Sequence, residues 1–420
     1  MLEREKAILV GTGSKRNEAE ITSTLEELAR LAETSGAEVA GKVIQFRDRP
    51  DPAWLIGHGK AQEIAEWAEQ AEADLVIFDQ ELSPAQIRNL ELLFPCKVID
   101  RTQLILDIFA GRAQTREGRI QVELAQLNYL LPRLQGRGKE LSRLGGGIGT
   151  RGPGEKKLET DRRHIRRQIR ALTAQLEEIK KHRRLLGQRR KKTGVTQIAL
   201  VGYTNAGKST LLNRLTGADS LAENKLFATL DPLSRSLKLP GGEQVILTDT
   251  VGFIRQLPHH LVAAFRSTLE QVKEADLLLH VVDAPHKEAE EQMKAVEKVL
   301  EELDAAHLPT LIVLNKADLH PELNVNLLGK EAISISAFCD DDLMRLKEKI
   351  AAMLSAETVT GTAEIPIHRG DLIAALYEAA EVCSSKAMDT KIRFEFRLSR
   401  KQLGKLPPAL LQFARLSEEF

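Results

Sequence analysis

At 420 residues the chain is too long for one ordinary hydrophobic core, and roughly two to four domains are expected. Its 42% hydrophobic and 29% charged residues are those of a globular protein, and no run of eighteen apolar residues is present to span a membrane. Lys+Arg and Asp+Glu balance at 60 each, but the balance is uneven along the chain: from Arg133 to Lys192 twenty Lys/Arg face six Asp/Glu, an excess any polyanion would feel.

The first residues, Met1-Leu2-Glu3-Arg4-Glu5-Lys6, mix acids with bases and do not read as a signal peptide. Cys96, Cys339 and Cys383 form neither a metal-ligand spacing nor a disulfide framework, which suits a reducing, cytoplasmic setting.

From Lys6 to about Ala110, short apolar runs alternate with helical periods. Strands are expected at Ala7–Val10, Val39–Phe46, Leu75–Phe78 and Lys97–Asp100, the last closing the series. Between them lie helices over Asn17–Thr34, with Ile21, Leu25, Leu28 and Leu31 on one face and Gly36 at the end, over Ala61–Ala71, and from Pro84 to Leu93. This alternation predicts a parallel-sheet α/β domain over residues 1–115. Gly57-His58-Gly59-Lys60 reads as a tight turn capping a helix rather than a second nucleotide site, because it lacks the rest of a phosphate-loop motif.

Residues 116–194 read as a helical hairpin. Ile120, Leu124, Leu127 and Leu131 line one helix face, which Pro132 is expected to end. Ile165, Ile169, Leu172, Leu176, Ile179 and Leu186 form a heptad-like seam on the second helix, and the two stripes bury each other most simply in an antiparallel pair. The connection runs through Gln135-Gly136-Arg137-Gly138-Lys139 to Leu144-Gly145-Gly146-Gly147-Ile148-Gly149-Thr150-Arg151-Gly152-Pro153-Gly154-Glu155-Lys156-Lys157. Glycine backbone can lie close against a folded surface while Arg and Lys take phosphates; with Arg162, Arg163, Arg166, Arg167 and Arg170 on the adjoining helix, this points to RNA.

The sharpest signal begins at Gln197. A short apolar run leads into Gly202-Tyr203-Thr204-Asn205-Ala206-Gly207-Lys208-Ser209-Thr210 and then a helix, the order of a phosphate-binding P-loop. The whole loop from Gly202 to Thr210 is expected to line the nucleotide. Lys208 would reach the β- and γ-phosphates and the Ser209 hydroxyl would bind Mg²⁺. Phe227 and Thr229 lie in a polar loop, Phe227–Pro232, that reads as a switch, with Thr229 joining the metal shell. Pro240-Gly241-Gly242 turns into a strand ending at Thr248-Asp249-Thr250-Val251-Gly252-Phe253; Asp249 would hold Mg²⁺ and the Gly252 N–H would sense the γ-phosphate. Asn315-Lys316-Ala317-Asp318 follows an apolar strand. A carboxylate at Asp318 accepts from the guanine N1–H and exocyclic amine together, a donor pair that adenine lacks. Asn315 ties the base to the loop, the Lys316 stem lies along the ring, and a backbone N–H of Ser336-Ala337-Phe338 is placed for guanine O6. Lys208, Thr229 and Gly252 are the candidate catalytic residues, and Ser209, Thr229 and Asp249 the candidate metal ligands.

These motifs resemble translation-factor-class GTPases. With the Gly-rich Leu144–Lys157 stretch, its basic helix and the Phe227–Pro232 loop, the chain resembles the HflX family of ribosome-associated GTPases. The resemblance implies a Ras-like GTPase domain over 195–355, GTP and GDP as ligands with Mg²⁺, and binding of a monomer to the large ribosomal subunit. It further implies splitting of stalled or idle ribosomes under stress and contact of the Gly-rich stretch with ribosomal RNA near the peptidyl-transferase centre. It also suggests ATP binding through the N-terminal domain, where the sequence offers no motif. The alternative is a GTP-regulated RNA-binding switch in large-subunit assembly or quiescence. Ras-like enzymes commonly place a water-orienting Gln just after D-x-x-G. Phe253 stands there, so slow intrinsic hydrolysis that rises on the ribosome is expected. Asn205 has two readings: a K⁺ ligand, as in potassium-activated GTPases, or a turn residue satisfying the loop backbone.

Beyond a small-residue linker at Thr358–Ala363, residues 364–420 read as a small α+β domain: strand at Ile365–Ile367, helix over Gly370–Val382, and strand over Lys391–Leu398.

Overall fold

The computed structural model describes residues 4–134, 153–192, 195–217, 226–227, 229–255, 272–319, 330–356, 358–399, 403 and 406–417. The stretch from Gln135 to Gly152, most of the Gly-rich connection, lies outside the described residues.

The first layer is a parallel sheet of β1 (Lys6–Gly13), β2 (Glu38–Phe46), β3 (Leu75–Phe78) and β4 (Lys97–Asp100) in the order β2-β1-β3-β4. Alternating side chains give it two apolar faces. Ile8, Val10, Val76 and Phe78 pack on α2 (His58–Gln70) and α3 (Pro84–Leu93), while Ala7, Leu9 and Ile77 pack on α1 (Glu18–Ser35) and α4 (Arg101–Arg112). The spacing of Ile21, Leu25, Leu28 and Leu31 places all four in that second core, and Gly36, with φ 97°, ends α1 in a left-handed cap. Helix α4 is an addition to the sequence reading, which closed the series at Asp100. Its signal was the Asp100 carboxylate, which accepts from the Gln103 N–H at 2.9 Å as an N-cap.

Helix α5 (Arg116–Arg133) runs two residues past the end expected at Leu131, with Pro132 inside its last turn. The Arg133 side chain makes that extension worthwhile. Its guanidinium lies 3.4 Å from the Tyr129 ring centroid and donates to the Leu82 carbonyl at 3.0 Å and to the buried Asp100 carboxylate at 3.1 Å. Helix α6 (Pro153–Lys192) packs back on α5 through Ile120, Leu124, Leu172 and Leu176. Glu117, at the start of α5, pairs with Arg183, near the end of α6, so the two run antiparallel.

A second sheet has the order β10-β9-β8-β5-β7-β6. In chain order these are β5 (Gln197–Gly202), β6 (Leu233–Lys238), β7 (Gln244–Asp249), β8 (Leu277–Asp283), β9 (Thr310–Asn315) and β10 (Ala332–Ser334). All pairings are parallel except the β6–β7 hairpin at the edge. Helices α7 (Lys208–Thr216) and α9 (Asp340–Ala356) cover one face and α8 (Ala289–Glu302) the other.

The C-terminal sheet is antiparallel, in the order β12-β13-β11-β14: β11 (Thr358–Pro366), β12 (Glu381–Ala387), β13 (Lys391–Ser399) and β14 (Ala414–Ser417). Two expectations are corrected here. Thr358–Ala363 is not a linker but part of β11, the strand that pairs with both β13 and β14. Its small residues are there for packing: a Cβ on Gly361 would come within 2.7 Å of the Phe396 ring. The helix expected over Gly370–Val382 ends at Ala379 (α10, Gly370–Ala379), because Glu381–Ala387 leaves it to form an edge strand on β13.

Candidate nucleotide site

The P-loop leaves β5 at Gly202 and enters α7 at Lys208. Gly202 (φ 150°) lies so close to β8 that a Cβ would strike the Val281 carbonyl, and Gly207 (φ 96°) lies so close to β9 that one would strike the Asn315 amide. The Lys208 ammonium is folded onto the loop, donating to the carbonyls of Gly202 at 3.0 Å and Tyr203 at 2.8 Å. Burial pushes its pKa down to about 8, with the neighbouring Asp249 working against that shift.

Three oxygens converge beside it. The Ser209 hydroxyl donates to Asp249 Oδ2 at 2.6 Å and lies 2.7 Å from the Thr229 hydroxyl. Asp249 Oδ1 is buried and has no hydrogen-bond partner among the described residues. Burial raises the Asp249 pKa, opposed by Lys208 and by the Ser209 hydrogen bond. The loop after Asp249 is stitched to the P-loop: Phe253 N–H donates to the Gly202 carbonyl at 3.1 Å, and Thr204 N–H donates to the Phe253 carbonyl at 2.8 Å. A Cβ on Gly252 would meet the Thr204 methyl at 2.7 Å and Lys208 Nζ at 3.0 Å, so only glycine lets this turn press against the loop. The Phe253 side chain points into the core with Val201, Leu278 and Val296.

The base-side residues also meet. Asn315, buried at the end of β9, donates to the Ala206 carbonyl at 2.9 Å and accepts from the Ala337 N–H at 3.1 Å. Lys316 donates to the Asn205 carbonyl at 3.0 Å and pairs with Asp283 at 2.6 Å. Asp318 is exposed at the rim. The three backbone N–H groups of Ser336–Phe338 already have acceptors: Asp342 at 2.8 Å, the Asn315 side chain at 3.1 Å, and the Ser336 hydroxyl at 3.3 Å. Contact with guanine O6 therefore requires one exchange, the long Phe338 bond being the weakest. Asn205 is exposed with φ 63°, a left-handed conformation that Asn tolerates.

Two side chains in the expected site turn away from it. Phe227 is buried edge-on against Phe109 of α4, ring centroids 4.7 Å apart. The Tyr203 hydroxyl leaves the loop to donate to Glu27 of α1 and accepts the Arg255 N–H at 2.6 Å. The sequence reading missed Glu27, Arg101 and Asp231, which tie the N-terminal domain to the nucleotide loops; no local motif marks them, since each is defined only by a partner far along the chain. Arg101 pairs with Glu27 and with Asp79 at 2.8 Å and donates to the Arg255 carbonyl at 3.3 Å.

Residues 22–110 match the family described as GTP-binding GTPase N-terminal, 112–190 its GTP-binding GTPase Middle Region, and 197–316 the 50S ribosome-binding GTPase family. The chain is 52% identical over 371 residues to the GTPase HflX of Alkalihalophilus pseudofirmus, covering 88% of each. It is 43% identical over 398 residues to the GTPase HflX of Escherichia coli, covering 93% of each. Among solved structures it is similar to a GTP-binding protein from Sulfolobus solfataricus in complex with GDP, at 27% identity and TM-score 0.45 over 83% of this chain and 99% of that one. With a guanine-nucleotide site of this construction and relatives matched over nearly their whole length, the chain belongs to the HflX family of GTPases.

Proposed function

We propose that this GTPase binds the large ribosomal subunit and uses GTP-dependent switching to split stalled or idle ribosomes under stress. The observation that carries the reading is the antiparallel pair α5–α6. It presents exposed Arg163, Arg166, Arg167 and Arg170 beside a Gly-rich connection, within a segment holding twenty basic and six acidic residues. Such a surface suits phosphates of ribosomal RNA near the peptidyl-transferase centre. The match of residues 197–316 to the 50S ribosome-binding GTPase family supports the same partner. The protein acts in the cytoplasm as a monomer. Among the described residues no helix is long and apolar enough to cross a membrane.

At the nucleotide, Lys208 exchanges its two loop carbonyls for β- and γ-phosphate oxygens, and the Gly252 N–H meets the γ-phosphate. Asp318 reads the guanine edge. Mg²⁺ fits the cluster of hard oxygen donors at Ser209, Thr229 and Asp249, where Asp249 Oδ1 is buried without a protein partner. Bound there, the ion would neutralise charge developing on the phosphates. Water attacks the γ-phosphorus in line, the bond to the β-phosphate oxygen breaks, and the P-loop N–H groups and Lys208 take up the charge on that oxygen. Phe253 is committed to the core and cannot orient the water, so turnover is slow until ribosome contact supplies or reorders a positioning group. K⁺ held by the Asn205 amide is a further element of the reading; equal rates in K⁺ and Na⁺ buffers would remove it.

Cosedimentation with ribosomes and separated subunits under GTP, GDP and a non-hydrolysable analogue tests the proposal. Retention on the large subunit with the analogue and release with GDP are expected. No nucleotide-dependent retention, or an unchanged GTPase rate with added large subunits, would overturn it.

A further inference from the structure

Asp231 lies two residues beyond Thr229, yet its side chain is bound to the residues just before α5. Its Oδ2 accepts from the backbone N–H groups of Gln114 and Thr115, both at 2.8 Å, and its Oδ1 accepts the Thr115 hydroxyl proton. The Thr115 oxygen in turn accepts the Gly118 N–H at 2.9 Å, as the N-cap of α5. A carboxylate here meets N–H groups that lack helical partners and the positive end of the α5 dipole. The approach is close enough that a Cβ on Gly118 would strike Asp231 Oδ1. Two residues on the other side of Thr229, Phe227 is pinned against Phe109 of α4, and Leu226 and Leu230 are buried in the same core. Thr229 is thus suspended between two anchors, both on the N-terminal part of the chain, with its hydroxyl against Ser209.

We propose that Asp231 is a positioning residue for GTP hydrolysis: by binding the Thr115 cap of α5 it holds Thr229 at the metal ligands, and it makes the α5–α6 pair respond to the bound nucleotide. The inference rests on the proposed role of Thr229. While Thr229 is engaged, Asp231 stays on the helix start. When the γ-phosphate leaves and Thr229 is released, a segment only two residues long carries the displacement to the cap. Helix α5 passes it on to α6 through the Glu117–Arg183 ion pair and the Ile120, Leu124, Leu172, Leu176 seam. Because coupling is reciprocal, a partner that grips the helix pair in this arrangement also favours Thr229 in the site.

The test uses the full chain with Asp231→Ala, Asp231→Asn and Thr229→Ala. Readouts are single-turnover hydrolysis as a function of Mg²⁺, affinity for a fluorescent GDP analogue, and hydrogen exchange of the first turn of α5. Asp231→Ala should slow hydrolysis tenfold or more and raise the Mg²⁺ concentration for half-maximal rate, with GDP affinity within twofold. Asp231→Asn, which keeps one acceptor oxygen, should recover part of the loss and serves alone if the alanine variant fails to fold. In the unaltered protein, α5 should exchange faster with GDP than with a non-hydrolysable GTP analogue, and Asp231→Ala should erase that difference. If Thr229→Ala is impaired while both Asp231 variants hydrolyse normally, or if α5 exchange ignores the nucleotide, this inference is overturned and the site reading stands. If Thr229→Ala hydrolyses normally, both fall together.

Discussion

Tyr203 of the P-loop and Glu27 of α1 share a buried hydrogen bond across 176 positions of sequence. The phenol also accepts the Arg255 N–H at 2.6 Å, so one side chain joins the phosphate loop, the segment after Asp249–Gly252 and the N-terminal domain. Burial and the Glu27 charge raise the phenol pKa, keeping it protonated and able to donate. Tyr203→Phe leaves a carboxylate oxygen and an amide N–H short of a partner. A loss of about 1–3 kcal/mol in unfolding free energy is expected by urea denaturation. An unchanged midpoint would mean that the bond contributes nothing net.

Arg101 raises the stakes in the same network. It is buried with both Glu27 and Asp79, and removing it leaves two carboxylates facing each other away from water. Arg101→Met should cost about 3–5 kcal/mol, more than Tyr203→Phe. Adding Glu27→Gln, which keeps an acceptor for Tyr203, and Asp79→Leu to that variant should return much of the loss, since the unpaired charges rather than the lost pair are the expensive part. A triple variant no more stable than Arg101→Met would contradict this.

Base selection gives a cleaner chemical test. The Asp318 carboxylate accepts from two guanine donors; Asn there offers one acceptor and one donor. Xanthine carries a carbonyl where guanine carries the amine. Asp318→Asn should lose GTP affinity by about tenfold or more and gain affinity for xanthosine triphosphate, corresponding to at least ~1.4 kcal/mol in each direction. Competition binding measures both. Loss of GTP without a gain for the xanthine nucleotide would place Asp318 off the base edge.

The nucleotide loops were legible because their chemistry is local: Gly202, Gly207, Lys208 and Ser209 must be neighbours in sequence to fold around one phosphate. Strands such as Leu75–Phe78 were legible from continuous apolar runs for the same reason. The C-terminal sheet was read less well. Thr360, Gly361 and Thr362 look like linker, and only pairing with Arg397, Phe396 and Glu395 makes them strand. The ties from Glu27 to Tyr203 and from Asp231 to Thr115 are sequence-distant carboxylate contacts that no periodicity encodes. Phe227 and Tyr203 show the converse: the motif places their backbone in the nucleotide loops, but it does not reveal that their side chains serve the domain interface.

His280, buried in the middle of β8, makes acid stability measurable at one site. Burial, with smaller contributions from Lys330 and Lys208, pushes its pKa down to about 3, against about 6.5 in an unfolded chain. Between those values the unfolded chain binds a proton that the folded protein does not. Its stabilising effect is therefore complete above pH ~6.5 and is lost progressively as pH falls towards about 3. Chemical denaturation at a series of pH values should show the difference between the unaltered protein and His280→Leu changing by about 1.4 kcal/mol per pH unit in that window. A pH-independent difference would place the titration elsewhere.

Thr204 yields a prediction in which stability and activity move in opposite directions. Its hydroxyl is buried and has no hydrogen-bond partner among the described residues, while its methyl lies where a Gly252 side chain would be. Folding gains nothing from an orphaned buried hydroxyl, so replacing it with the methyl of valine should leave stability unchanged or raise it by up to about 1 kcal/mol. Thr204 belongs to the loop expected to line the nucleotide and abuts the Gly252 turn, the region assigned to the γ-phosphate. There its hydroxyl can donate to a phosphate oxygen or to the attacking water, a role that Phe253 cannot fill. Thr204→Val should therefore slow single-turnover hydrolysis by about tenfold, equivalent to ~1.4 kcal/mol of barrier, with GDP affinity unchanged and Thr204→Ser restoring most of the rate. Thermal unfolding and hydrolysis measured on the same preparations decide it. A valine variant that is both less stable and fully active would mean that the hydroxyl serves the fold and not the nucleotide.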